Sequence, residues 1–257
     1  MGRSLEILIL LGACLACASQ PLADSRLEGV TQFDAAYQAW DGPQFAAAAA
    51  LFQQATSHFP RSSTNYYWLG TAHFHHLLQL QHSSPERSDT QPAAAAMDAA
   101  LSALQEAVKM NPLDAESHAL LGTLYGMKIN GSLVRAVRFG PRVEAHRQKA
   151  LQLGAANPRV QYLLGTCQFH TAKKKAAFRE ALATFLTAEQ LFETEAKIPA
   201  GPLEPRWGYA SCLTFIGRTY EQLAERTKAA EYFRKALARH PADHLAEEGL
   251  GRVTEKR

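Results

Sequence analysis

The chain has 257 residues, 47% of them hydrophobic and 20% charged, with a formal net charge of +3. That composition is that of a folded protein with either one sizeable core or one extended array. So small a charge, with no stripe of Arg and Lys interleaved with aromatics, excludes nucleic acid from the expected partners. Runs of alanine at 46–50 and 93–96 favour helix and let neighbouring helices approach closely.

Residues 1–18 combine Arg3, an apolar stretch from Ile7 onward and a run of small residues. This is the grammar of a secretory signal peptide, too short to span a membrane. Leu11-Gly12-Ala13-Cys14 resembles a bacterial lipobox, which would make Cys14 a lipidated N-terminus. Cys17 is a second candidate, and ordinary cleavage after Ala16-Cys17-Ala18 is the competing reading. The expectation is export, to a periplasm or as a membrane-anchored lipoprotein of the bacterial envelope, with membrane contact only through that lipid.

Paired helical stripes follow. In 29–62, Ala48, Phe52 and Ala55 share a face before Pro60. In 63–114, Tyr66, Leu69 and Gly70 precede Ala100, Leu104, Ala107 and Pro112, with an inserted loop at 81–93 rich in Ser, Pro and charge. In 115–157, Leu121, Gly122 and Tyr125 precede Ala150, and the Gly and Pro punctuation of 126–141 predicts an extended inter-helix segment. In 158–195, Leu164 and Gly165 precede Ala181, Phe185 and Ala188. A linker at 196–209 holds three prolines and Trp207, an indole placed to pack on its neighbours. In 210–243, Leu213, Ile216, Gly217 and Tyr220 precede Ala229, Phe233, Ala236 and Pro241. Small residues mark where paired helices cross, Tyr220 and Phe233 fill the space between them, and Pro241 stops the second helix. Leu245, Leu250 and Val253 make 244–257 a capping helix with a charged tail.

These offsets resemble the tetratricopeptide repeat (TPR), whose period is about 34 residues. The resemblance implies an all-α, right-handed solenoid of about five helix-turn-helix repeats with a C-terminal capping helix. The segment NPRVQYLLGTCQFHTA also resembles a group of exported bacterial TPR proteins, in which Thr-Pro and a glycine-rich turn are expected where this chain has Thr171-Ala172-Lys173-Lys174-Lys175. In TPR proteins the first helix of each repeat lines a concave groove. Projected onto this chain, the groove positions are Phe33, Tyr37 and Trp40, then Tyr67, Thr71, Phe74 and His75, then Tyr162, Thr166, Phe169 and His170. The segments YWLGTAHFH and YLLGTCQFH repeat Tyr, Thr, Phe and His at these places. The function expected is a non-catalytic scaffold that binds a protein or peptide partner in that groove and assists assembly of envelope complexes. The Lys and Asn pattern that clamps chaperone C-termini is absent.

Four histidines lie within TAHFHHLLQLQH. The alternative function is metal binding by His73, His76 and His82, although zinc needs three or four ligands and the helical pair supplies two. The repeat phase assigns His73 to an inter-helix position, His82 to the inserted loop and only His75 to the groove. No phosphate loop, nucleophile elbow or zinc-protease motif occurs. The chain is read as no enzyme, with no cofactor and no metal. Basic residues at Arg135, Arg138, Arg142, Arg147 and Lys149 read as a solvated face, with an acidic or anionic partner as the alternative. Cys167 and Cys212 read as buried thiols, a single bridge remaining open.

Overall fold

The computed structural model describes residues 24–83 and 90–255. The signal peptide expected over 1–18, with Cys14 and Cys17, lies outside the described residues, as do 84–89 of the inserted loop and 256–257 of the tail. Eleven helices occur among the described residues: α1 (Ser25–Ala39), α2 (Gly42–His58), α3 (Ser63–Ser83), α4 (Gln91–Met110), α5 (Ala115–Ile129), α6 (Leu133–Gly154), α7 (Pro158–Thr171), α8 (Lys175–Glu195), α9 (Tyr209–Gln222), α10 (Arg226–Arg239) and α11 (His244–Thr254). They pack as consecutive pairs, each pair against the next, into the helical solenoid that the repeat pattern implies.

The helix ends are written in the sequence. Asp24, Asp41, Thr90, Asp114, Ser132, Asn157 and Asp243 each cap an N-terminus by accepting a backbone N–H with the side chain. Phe59, Asn111 and His240 close α2, α4 and α10, and each precedes a proline. A residue before proline is pushed out of the helical region, and all three lie outside it, with φ of −127°, −128° and −141°.

Within pairs, one close approach recurs. A Cβ on Gly165 would lie 2.6 Å from the Phe185 ring, and one on Gly217 would lie 2.8 Å from Phe233. The ring of the second helix therefore rests directly on the backbone of the first. At the far end α11 covers the last pair. Phe233 is also in contact with Gly249, and Arg226 donates to the carbonyls of Arg252, Val253 and Glu255 at the open C-terminal turn of α11.

Two expectations need correction. The segment 126–141 is not an extended inter-helix region: α5 runs to Ile129, α6 starts at Leu133, and Asn130 and Gly131 turn the chain with positive φ. Pro141 lies inside α6, on an exposed side where water can reach the carbonyl its ring leaves unbonded. His82 is not in a loop either. It occupies the last turn of α3, with its ring stacked on His244 of α11.

Candidate functional site

The first helices of the pairs, α1, α3, α5, α7 and α9, converge on the interior of the curve. Phe33, Tyr37, Tyr67, Thr71, Phe74, His75, Tyr162, Thr166 and Phe169 are all buried there. Trp40 is half-buried and His170 is exposed, so the matched pair His75 and His170 occupies two different environments.

The chain's own linker covers Tyr37, Tyr67, His75 and Tyr162. After Glu195 the chain passes through 196–208, and its last residues dock against α1, α3 and α7. The indole of Trp68 donates to the Leu203 carbonyl at 2.9 Å. The indole of Trp207, 2% exposed, donates to the Tyr67 hydroxyl at 2.9 Å. The Gly208 N–H donates to the Tyr37 hydroxyl at 3.3 Å, and that hydroxyl also pairs with Ser211 at 2.7 Å. Gly208 has a φ of 104°, a left-handed conformation that lets the chain turn from the linker into α9. Residues 196–202 stay exposed.

Beneath the linker runs a polar chain. Tyr67 donates to Glu116, whose other oxygen accepts from Asn157 at 2.7 Å and from Arg159 at 2.8 Å. Arg159, 3% exposed, also makes two hydrogen bonds to Glu195. Burial opposes the charge of Arg159, but the two carboxylates win and raise its pKa. Burial first, then the neighbouring Glu116, raise the pKa of Tyr67 well above its usual range. The hydroxyl therefore acts as a hydrogen-bond donor and acceptor in a dry ion-pair network rather than as an acid.

His75 sits in an aromatic cage. Its ring meets Phe33, Tyr37, Phe74 and Trp207 at centroid distances of 5.0–5.4 Å. Nδ1 lies 2.9 Å from the Thr71 carbonyl, which only accepts, so Nδ1 carries the proton. Burial lowers its pKa to about 4, partly opposed by that hydrogen bond. The second aromatic wall is closed differently. The guanidinium of Arg218 lies over the rings of Phe169 and Phe215 at 5.0 and 4.8 Å.

The ends of the array also meet. The Tyr37 ring stacks on His240, which pairs through Nε2 with the Gln38 carbonyl, and Trp40 lies against His244. The curve is thus closed from α1 to α11 around its own linker.

Among the described residues no three His, Cys, Asp or Glu side chains converge as metal ligands. His73 is half-buried with a pKa lowered to about 4 by burial and by His76, while His82 pairs with His244 instead. Cys167 and Cys212 are free thiols, and burial pushes up the pKa of both. No helix among the described residues is long and apolar enough to cross a membrane. Sequence reasoning passed over Trp68, Glu116, Arg159 and Glu195. Their roles depend on contacts between separate repeats, which no periodic offset records. Trp207 alone carried a signal, as an indole between prolines and a glycine.

The fold has solved counterparts. A thermophilic TPR protein of Thermus thermophilus superposes with a TM-score of 0.58 at 15% identity, covering 88% of this chain and 98% of the other. The pilF protein of Pseudomonas aeruginosa gives a TM-score of 0.46 at 17% identity, covering 72% of this chain and 68% of the other. Identities this low speak for the fold alone, and the fold is that of a TPR protein. A search of the curated proteins finds no match. The family model described as regulator of microtubule dynamics protein 1-3 matches residues 31–253. With that match running over nearly the whole repeat array, the chain belongs to the regulator of microtubule dynamics protein 1-3 family.

Proposed function

We propose that this protein is a non-catalytic interaction scaffold whose concave face holds a non-helical segment of a protein partner in place of its own linker. One observation carries this reading. The groove already holds a proline-containing, non-helical segment with a turn at Gly201–Glu204, through Trp68 to Leu203, Tyr67 to Trp207 and Tyr37 to Gly208. Groups that bind such a segment within the chain have the chemistry to bind one from another chain: aromatic walls for apolar side chains, and an indole and hydroxyls for backbone atoms. Tyr67, Phe74, His75, Tyr162 and Phe169 supply the walls. Tyr67, Glu116, Arg159 and Glu195 are committed to one another, which supports a binding rather than a catalytic role.

The test replaces 198–206 with a Gly/Ser sequence of equal length and adds, as a labelled peptide, the natural segment 198–208. The peptide binds the linker-replaced chain about tenfold more tightly than the intact chain, and Trp68→Phe weakens that binding. If the linker-replaced chain stays folded and does not bind the peptide, the reading fails.

The family's description supports an assembly connected with microtubule dynamics as the setting. The exported setting rests on the leader alone. Co-sedimentation of the full chain with polymerised microtubules supports the first; recovery in a membrane fraction with an acylated Cys14 supports the second.

A further inference from the structure

The helix α6 is amphipathic in the wrong direction for a helix that only packs. Its sole buried residue is Ala150. Phe139 and His146 face inward, against the Tyr125 ring of α5. On the other side Leu133, Val134 and Val137 are 84%, 81% and 81% exposed. At 100° per residue these three share one sector with exposed Pro141, and Arg138 and Arg142 occupy the sector beside it. An apolar stripe facing solvent with a basic edge is an unpartnered surface.

The basic edge opens into a cleft of about 260 Å³ where α4, α5 and α6 meet. No Cα of α4 lies within 8 Å of one in α6, so the gap between them stays open. Arg142 lies over the Tyr125 ring at 5.4 Å and Arg138 over Phe139 at 5.2 Å. Both guanidinium groups lie near an aromatic face, which attracts them without neutralising their charge. Lys128 already pairs with Asp98 at 2.8 Å. Among the described residues no carboxylate lies within 4.0 Å of Arg138 or Arg142. Gln105, held by the Tyr125 hydroxyl at 2.8 Å, completes the polar wall.

We propose that the outer face of α6 and this cleft dock a segment of a protein partner that carries acidic side chains beside aliphatic ones. Its carboxylate seats between Arg138 and Arg142, and its aliphatic side chains cover Leu133, Val134 and Val137. The guanidinium fork suits a carboxylate, and the pair fixes register while the stripe supplies apolar area. A membrane surface fits less well. The stripe is two turns long, has no Trp or Phe to anchor in lipid, and belongs to a chain of net charge only +3. This surface is separate from the concave groove, so it stands or falls independently of the groove reading.

The test uses the full chain and two labelled synthetic helical peptides, one with a Leu stripe flanked by Glu, the other with every Glu replaced by Lys. Vesicles of phosphatidylserine and phosphatidylcholine form a third probe, and sedimentation velocity a fourth. The acidic peptide binds, the basic one does not, and Arg138→Glu with Arg142→Glu weakens binding tenfold or more, as does Val134→Ser with Val137→Ser. All four positions are exposed, and unchanged thermal unfolding confirms that the variants fold. Equal binding of both peptides, or binding that survives the arginine exchange, overturns the proposal. So does vesicle binding lost in these variants while the acidic peptide is ignored, or a dimer that the valine exchange dissociates.

Discussion

The indole N–H of Trp207 donates to the Tyr67 hydroxyl, which in turn donates to Glu116. One hydrogen-bond chain thus ties the linker to two different repeats. Truncation to Trp207→Ala removes a side chain that is 2% exposed and opens the cover of His75. The expected loss is about 3–5 kcal/mol, with faster proteolytic cleavage within 196–206. Trp207→Phe keeps most of the packing and loses only the donor, so it costs about 1 kcal/mol. Urea unfolding of both variants checks the ranking; equal losses would mean that the indole packing contributes nothing.

The second prediction concerns Arg159, held between Glu116 and Glu195. Removing the cation leaves two carboxylates facing each other in a site that is nearly dry. Arg159→Met therefore destabilises by about 3–5 kcal/mol at neutral pH. Adding Glu116→Gln removes one of the two facing charges and recovers part of the loss. Unfolding free energies of the single and double variants measure it, and a double variant no more stable than the single one would refute the account.

The solenoid was legible because its constraints repeat. Gly217 under Phe233 and the proline after α10 recur at fixed offsets, so each copy strengthens the others. The closed groove was not legible. Trp68 and Leu203 meet across 135 residues, and Trp207 and Tyr67 across 140, with no periodicity to announce either contact. Tyr37, Tyr67, His75 and Tyr162, expected on an open groove, are buried under Trp207 and Gly208, whereas Phe169 is covered by Arg218. The start of α6 misled for a different reason. Gly131 and Pro141 read as loop punctuation, yet Gly131 serves a three-residue turn and Pro141 sits on a solvated side of the helix.

Phe233 is pinched between the backbones of α9 and α11. A Cβ on Gly249 would approach its ring to 2.4 Å. Gly249→Ala gains about 1 kcal/mol in helix propensity but forces the ring to move at a cost of about 1–3 kcal/mol. With a fully buried ring held from both sides, the net result is destabilisation. Gly126 in α5 has nothing within 4 Å of its added Cβ, so Gly126→Ala is stabilising by about 0.5–1 kcal/mol. Thermal unfolding of the two variants should shift in opposite directions; a gain for Gly249→Ala would remove the packing argument.

The last prediction is acid sensitivity through His75. Burial lowers its pKa in the folded chain to about 4, below the ordinary histidine value near 6.5. Between those two pH values the unfolded chain binds a proton that the folded chain refuses. Stability is therefore fully present above about pH 6.5 and falls as pH drops towards 4, levelling out once the folded state is protonated as well. The shift corresponds to a contribution on the order of 3 kcal/mol. His73 and His146 are lowered to about 4 too, so the loss steepens where the three act together. His75→Leu removes one of these protons while keeping an apolar side chain under Trp207. Its unfolding free energy, measured between pH 6.5 and 4.5, has a slope smaller by about one proton. A variant with the same slope as the parent would show that His75 already titrates normally, and hence that Trp207 does not keep its cage dry.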